Sequence, residues 1–425
     1  MSEALRRLRR HARGATNVSA ELTASAWLST KTWLGERLGP ERLPEELPTV
    51  WFLTEGDPVK DWSPAARYRA FQYVPLLEEL GFPCKVLPAR PGKYWSVGPG
   101  FGRFSRRFPR LAGAWARFQY RRQRHNRRRD FARTRGKGVV FLQRDLLALS
   151  HDRTRLELPL FNRRIVFYFD DAIYRSPSWC NAPGQDAIDQ ELREKIEKVC
   201  ALSSAVIVAN SHLAEFVRPH NANVHVIPTT LDTEHFVPAS QRATNPRPVI
   251  GWAGTSGNLH YLRKIGPALR RLAERRDFVL RVICNPVAMS ELPDLPEGFV
   301  EFVPWNATDE VARIQGFDIG IMPLDDDDWA AGKAAFKLIQ YMACGVPIVW
   351  SPTGANPEVA GDDGHCGFAA AGDDGWLHAL DRLLADENLR ARCGAAGRER
   401  AVRRFDRRAQ VDRIAELLVE VHRRG

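Results

Sequence analysis

Between residues 317 and 359 the chain reads FDIGIMPLDDDDWAAGKAAFKLIQYMACGVPIVWSPTGANPEV, and its apolar spacing changes period twice. Ile319 to Met322 is a short apolar run closed by Pro323, the pattern of a strand covered on both faces. An acidic loop follows from Asp325 to Asp328, and then Phe336, Ile339, Met342 and Ala343 recur at the spacing of one helical face. Gly345 stops that helix, and Val346 to Trp350 is a second buried strand. Strand, crossover helix and strand in that order form a parallel pair, which commits this part of the chain to an α/β architecture. Helix N-termini collect anions. Lys333 and Lys337 fall in the expected first turn, where lysine opposes the helix dipole. Two readings stand at this point: a phosphate site, or two solvated surface lysines.

A chain of 425 residues exceeds the size at which one core keeps growing, so two domains are expected. Buried strands are expected at Thr49–Leu53, Cys84–Leu87, Gly138–Leu142, Ile165–Phe169, Ala205–Ala209 and Val224–Ile227. After the polar, proline-punctuated stretch Pro238–Pro248, which reads as a linker, further strands are expected at Val249–Ala253, Phe278–Ile283 and Val300–Val303. The expected division is an N-terminal extension over 1–47, domains over 48–240 and 241–405, and a C-terminal helix over 406–425. A helix carrying Phe71, Val74, Leu76, Leu77 and Leu80 follows the first strand, and Arg67 and Arg69 at its entrance are anion contacts or ordinary surface charge. Asp170 and Asp171 sit at the carboxyl end of a strand, where open α/β sheets bind ligands. One of these carboxylates contacts a sugar hydroxyl or moves a proton, or else the pair only shapes a turn. The turn Gly254-Thr255-Ser256-Gly257-Asn258 leads from a strand into a helix and is a candidate for presenting amides to a diphosphate. Its spacing matches neither a P-loop nor a dinucleotide fingerprint. Trp305 stands just beyond another strand.

The formal charge of +11 is concentrated: Arg103 to Lys137 holds fourteen Lys or Arg residues and one acid, Asp130. Arginines interleaved with Phe104, Phe108, Leu111, Trp115, Phe118 and Tyr120 fit an anionic membrane surface or a solvated helix face. Nucleic acid is not the expected partner, because no recognition motif accompanies the patch. Seven scattered cysteines without a CxxC pair point to reduced thiols and a cytoplasmic setting, and no stretch approaches the length of a membrane span. There is no HExxH, cysteine cluster or GxSxG, so neither a zinc site nor an acyl-transfer nucleophile is expected. The four consecutive aspartates read as a solvated turn, since neighbouring positions seldom converge on one cation.

Taken together, SPAARYR, VVFLQRDLL, FYFDDAIY, AVIVANSHLAEFV, VHVIPTTLD, VIGWAGTSG, the 317–359 segment and RERAVRRFD resemble glycosyltransferase family 4. The resemblance runs from about residue 49 to 410. It implies the GT-B architecture, in which two Rossmann-like domains with parallel sheets face a central cleft. It also implies a retaining transfer of a sugar from a nucleotide-diphosphate donor to a hydroxyl of a glycolipid, polysaccharide or other glycoconjugate, without a bound metal or other cofactor. The family's donor-binding role falls on Gly254, Thr255, Ser256, Gly257, Trp305 and Gln340, and the acceptor-binding role on Arg67, Arg69 and Asp170. Asp171, Lys333 and Lys337 are the implied catalytic residues. The protein would then work in the cytoplasm, peripherally at the inner membrane face. The family's paired glutamates, eight positions apart, are here Gly332 and Gln340, and its usual Arg and Lys after the first donor-domain strand give way to Trp252 and Gly257. The pattern GKxxxKLxQYMA carries the two lysines that would take over the diphosphate. Two other readings keep parts of this picture: a GT-B nucleotide-sugar epimerase, and a non-catalytic nucleotide-sugar or membrane-binding protein.

Overall fold

The computed structural model describes residues 46–56, 64–89, 107–144, 158–177, 184–241, 245–285 and 292–424. Most of the N-terminal extension, residues 57–63 of the first loop, Phe104, the side chain of Tyr120 and Cys180 lie outside the described residues. Among the described residues, twelve strands build two sheets of six. The first sheet contains β1 (Val50–Thr54), β2 (Cys84–Pro88), β3 (Val139–Gln143), β4 (Ile165–Phe169), β5 (Ala205–Val208) and β6 (Val224–Val226), in the order β2-β1-β3-β4-β5-β6. The second contains β7 (Val249–Ala253), β8 (Val279–Cys284), β9 (Val300–Pro304), β10 (Ile319–Met322), β11 (Ile348–Trp350) and β12 (Gly367–Ala369), in the order β12-β11-β10-β7-β8-β9. The central strands β1, β3, β4, β7 and β10 are buried at every position. Their unbroken Val, Ile and Phe runs, without alternation, are what parallel strands with both faces covered require.

In the second sheet the chain runs outward from β7 to β8 and β9. It then returns to lay β10 beside β7, with Ile319 opposite Ile250 and Gly320 opposite Gly251. Strand order therefore reverses between β7 and β10, and such reversals leave a crevice at the carboxyl ends of the strands. Both sheets are α/β, as expected, and the strand expectations match to within a residue or two at each end.

Helices among the described residues are α1 (Pro64–Ala66), α2 (Val74–Glu79), α3 (Pro109–Thr134), α4 (Gln185–Leu202), α5 (Ser211–Val217), α6 (Leu259–Lys264), α7 (Gly266–Ala273), α8 (Glu310–Gln315), α9 (Asp328–Ala331) and α10 (Phe336–Ala343). They continue with α11 (Asn356–Ala360), α12 (Gly372–Ala385), α13 (Glu387–Phe405) and α14 (Arg407–Arg424). The single helix expected after β1 is instead α1, a π-helical turn over Arg67–Phe71, and α2. Pro75, in the first turn of α2, has no N–H to continue a helical ladder, so the segment restarts there.

By contact density the chain divides into two compact units. One takes the described residues within Met1–Ala148, Thr154–Val166 and Val411–Gly425, and the other those within Phe167–Gln410. In the first, the basic helix α3 is not a fully solvated element. Arg127 is completely buried, donates to the carbonyls of Leu87 (2.6 Å) and Thr54, and pairs with the equally buried Asp130 at 3.6 Å. Leu111 and Phe118 are exposed on the same helix, as is Phe108 at its N-cap. In the second unit, the RERAVRRFD stretch clasps the chain just beyond VHVIPTTLD. The Asp406 carboxylate accepts from the Thr233 amide (3.2 Å) and hydroxyl (2.5 Å), while Arg398 donates to the carbonyls of Thr233, Phe236 and Ala343.

Candidate functional site

The two lysines of the 317–359 segment are not in one helical turn. Asp327 caps α9 by accepting from the Ala330 amide at 2.7 Å, and that short helix ends at Gly332. The chain then crosses Lys333 to Ala335 before α10 begins at Phe336, so Lys333 precedes the helix and only Lys337 lies in its first turn. Ala335, buried at the N-cap, has φ 53°. An L-residue held there carries about 1–2 kcal/mol of strain, and such strain collects at functional sites.

Lys333 is fixed at both ends. Its carbonyl accepts from the Asn210 side chain at 3.1 Å, its ammonium lies 3.4 Å from Asp171 Oδ1, and the same ammonium sits 4.7 Å from the Trp329 ring centroid. Asn210 also accepts from the Leu213 amide and so caps α5. Lys337 has intermediate surface exposure, but its ammonium is packed deeply, 5.5 Å from the Trp252 ring centroid. Burial pulls its pKa from 10.5 down to about 8; the neighbouring Lys333 charge adds to the drop and Asp171 opposes it. Two cations and one carboxylate thus share the carboxyl ends of strands beside the β7–β10 reversal. All of these residues belong to the Phe167–Gln410 unit.

Two glycines let backbone approach this cluster. A Cβ on Gly254 would lie 2.7 Å from the Trp252 ring and 2.8 Å from Lys337 Cε. A Cβ on Gly332 would lie 2.8 Å from the Ala172 amide nitrogen and 2.7 Å from its Cβ. The position where the resemblance places a sugar-contacting glutamate therefore has no room for any side chain. The loop expected to offer amides is partly committed elsewhere. The Gly254 amide donates to the Ile283 carbonyl (2.9 Å), and Ser256 gives its amide to Asn285 Oδ1 (2.8 Å) and accepts from Asn285 at its hydroxyl (2.7 Å). Thr255 and Gly257 are exposed at the tip.

Gln340, one turn beyond Lys337 and 5% exposed, donates to Glu310 Oε1 at 3.1 Å. The Trp305 indole donates to the same oxygen at 3.3 Å. Tyr341 anchors the helix to β7 by accepting from the buried Ala253 amide at 2.9 Å. Sequence reading missed Glu310, Tyr341, Trp329 and the positioning bond from Asn210. The one available signal was Gln340 itself, because an amide in place of a carboxylate calls for a different partner.

Of the other expected residues, Asp170 is completely buried while Asp171 is partly exposed. Arg67 and Arg69 lie on the π-helical turn of the other unit, where Arg69 is 8% exposed and Arg67 stacks on Tyr68 at 4.7 Å. The four aspartates diverge, as the solvated-turn reading implies for side chains on consecutive positions. Asp325 pairs with Lys264, Asp327 caps α9 and Asp328 pairs with Arg175. Among the described residues no three His, Cys, Asp or Glu side chains converge as a metal-binding group.

Two parallel six-stranded sheets with a cationic helix start at a strand-order reversal define an α/β protein of the GT-B fold. Sucrose-phosphate synthase from Thermosynechococcus elongatus superposes with a TM-score of 0.64 at 14% identity, over 89% of this chain and 100% of that one. Anabaena HepE, in complex with UDP and glucose, does so with a TM-score of 0.56 at 16% identity, over 88% and 99%. In sequence, residues 247–386 match the family model for glycosyl transferases group 1. It is 29% identical over 227 residues to the MMP alpha-(1->4)-mannosyltransferase of Mycolicibacterium hassiacum, covering 51% of this chain and 53% of that protein. It is 24% identical over 269 residues to the D-inositol 3-phosphate glycosyltransferase of Corynebacterium jeikeium, covering 56% and 62%. The chain thus spans only about half to three fifths of the length of these relatives.

Proposed function

We propose that the protein is a retaining glycosyltransferase of the family 4 type that moves a sugar from a nucleotide-diphosphate donor to a hydroxyl of a glycoconjugate. The observation that carries this reading is the paired cationic site of Lys333 and Lys337. A buried ammonium held near pH 8 beside a second lysine is destabilised until a polyanion arrives, and a diphosphate supplies the missing negative charge. In the transfer, the bond between the anomeric carbon and the diphosphate oxygen breaks and its electron pair leaves with the diphosphate. Lys333 and Lys337 stabilise that growing charge, and no resident metal ion is assigned to the task. The acceptor oxygen bonds to the anomeric carbon and passes its proton to the oxygen of the departing diphosphate. Asp171, 3.4 Å from Lys333, orients that lysine and lies within the same cluster as the reacting groups. The names of the relatives, and the UDP-glucose held by the structurally similar HepE, support the donor class.

The test is thermal stabilisation by a panel of nucleoside diphosphates and nucleotide-sugars, followed by sugar transfer or hydrolysis with the stabilising donor. Stabilisation by at least one of them, lost in Lys337→Ala and unaffected by a chelator, is the expected result. A protein that responds to no nucleoside diphosphate refutes the reading, and isomerisation of the donor without acceptor would assign it to an epimerase. The proposal further places the acceptor at an anionic membrane surface met by α3. Among the described residues no helix is long and apolar enough to cross a membrane. The exposed Leu111 and Phe118, seven residues apart on one helical face and flanked by Arg110, Arg117 and Arg121, fit interfacial binding. Binding to phosphatidylserine vesicles should weaken steeply as salt rises; binding that ignores salt refutes this part alone.

A further inference from the structure

We infer that Trp252 is a positioning residue for the diphosphate site, its indole face holding the Lys337 ammonium in the place where it meets the ligand. The inference rests on the donor reading above and adds the group that keeps the buried cation both charged and aimed.

Lys337 and Tyr341 are four residues apart and so share one face of α10. Tyr341 pins that face to the end of β7 through the Ala253 amide at 2.9 Å. Lys337, one turn nearer the helix start, comes to lie over the preceding residue of the same strand, its ammonium 5.5 Å from the centroid of the Trp252 ring. A cation within about 6 Å of an indole face is attracted by the negative face of the ring, and the attraction grows where water is excluded. The contact is tight. A Cβ on Gly254 would lie 2.7 and 2.8 Å from two carbons of the Trp252 ring and 2.8 Å from Lys337 Cε, so ring, lysine stem and glycine backbone fill the space. Only 1% exposed, Trp252 shares a core with Leu259 and Leu262 of α6, which keeps the ring from swinging away.

The chemistry of the holder decides what the lysine can do. A carboxylate under Lys337 would neutralise the ammonium, occupy its N–H groups and repel the incoming diphosphate. An indole face stabilises the same charge without a lone-pair acceptor, so the N–H groups of the ammonium remain for phosphate oxygens. The charged groups that bear on Lys337 are Lys333, ahead of its helix and unfavourable, and Asp171, past β4 and favourable. Asp171 is drawn to Lys333 at 3.4 Å, whereas Trp252 serves Lys337 and Trp329 serves Lys333.

The experiment measures binding of UDP, GDP, ADP, CDP and TDP by calorimetry at about pH 6 and about pH 8.5, to the full chain and to Trp252→Leu, Trp252→Phe and Gly254→Ala. Loss of the indole should lower the pH at which Lys337 discharges by about one unit, within the range of a buried cation–π contact. For whichever nucleotide the wild type binds, Trp252→Leu should therefore weaken affinity about tenfold at the higher pH. At the lower pH, where the ammonium is charged in every variant, the loss should stay within about twofold. Titration of the nucleotide itself is common to all four proteins and drops out of these ratios. Trp252→Phe keeps a ring face and should fall between wild type and Trp252→Leu, and Gly254→Ala, which wedges ring and lysine apart, should repeat the pattern. A role in the core alone would weaken binding by the same factor at both pH values. That result, or affinity unchanged at the higher pH, overturns the assignment and leaves the diphosphate site standing. Should Trp252→Leu fail to fold, the ratios for Trp252→Phe and Gly254→Ala decide on the same terms. Failure of the wild type to bind any of these nucleotides overturns the donor reading itself, and this inference with it.

Discussion

Replacing Lys337 by methionine shortens the side chain by one atom and removes its charge, and the structure fixes what should follow. The fall in pKa from 10.5 to about 8 corresponds to about 3 kcal/mol, at about 1.4 kcal/mol per pH unit, against keeping the ammonium charged in the fold. The side chain retains some surface, so about 1–3 kcal/mol is the expected range. The sign follows from proton binding. Below pH 8 the lysine is charged in both folded and unfolded chains, and the whole penalty is present. Between about 8 and 10.5 the folded protein releases its proton while the unfolded chain keeps one, so wild-type stability rises with pH. Lys337→Met should therefore be more stable than wild type at pH 7, by about 1–3 kcal/mol, with the difference shrinking toward zero above pH 10. The same variant should lose most of its stabilisation by a nucleoside diphosphate. Denaturant titrations followed by tryptophan fluorescence, at pH 7 and pH 10 and with and without UDP or GDP, measure all of this. A variant no more stable than wild type at pH 7 that still responds fully to nucleotide would refute the argument from charge burial to ligand binding.

Three further outcomes follow from contacts already described. Asp171→Asn removes the carboxylate that holds the Lys337 pKa up, so the pH above which diphosphate affinity declines should move below about 8, as read from affinity against pH. Gly332→Glu, which would install the glutamate that the resemblance places there, should instead destabilise the protein by about 1–3 kcal/mol in thermal melts, because its Cβ meets the Ala172 backbone. Tyr341→Phe leaves the buried Ala253 amide without its acceptor and should cost about 1–3 kcal/mol, with reduced nucleotide response as α10 loosens from β7.

Much of this could be read from the sequence because parallel strands covered on both faces leave long apolar runs. Ile165–Phe169, Val249–Ala253 and Ile319–Met322 were expected at the residues where they occur. The three-residue β12 has too few positions to display a period, and the π-helical break before α2 depends on a proline inside an otherwise helical pattern. Lys333 and Lys337 were legible as a pair because lysine is out of place at a helix start. Their separation by a left-handed alanine was not, since nothing about alanine signals positive φ. The bond from Gln340 to Glu310 joins residues thirty positions apart, and that from Asn210 to Lys333 spans 123; only tertiary structure brings such partners together.

Arg127 gives the basic helix α3 a mechanical character. Its guanidinium is driven into the ends of β1 and β2 and locked by a buried aspartate, like a rivet through a plate. Any pull on the outer arginines of that helix is borne by β1 and β2 instead of being absorbed by a swinging arm. Docking through this face would therefore hold the first unit at a fixed tilt, and trimming the rivet to alanine would turn a stiff bracket into a loose tether.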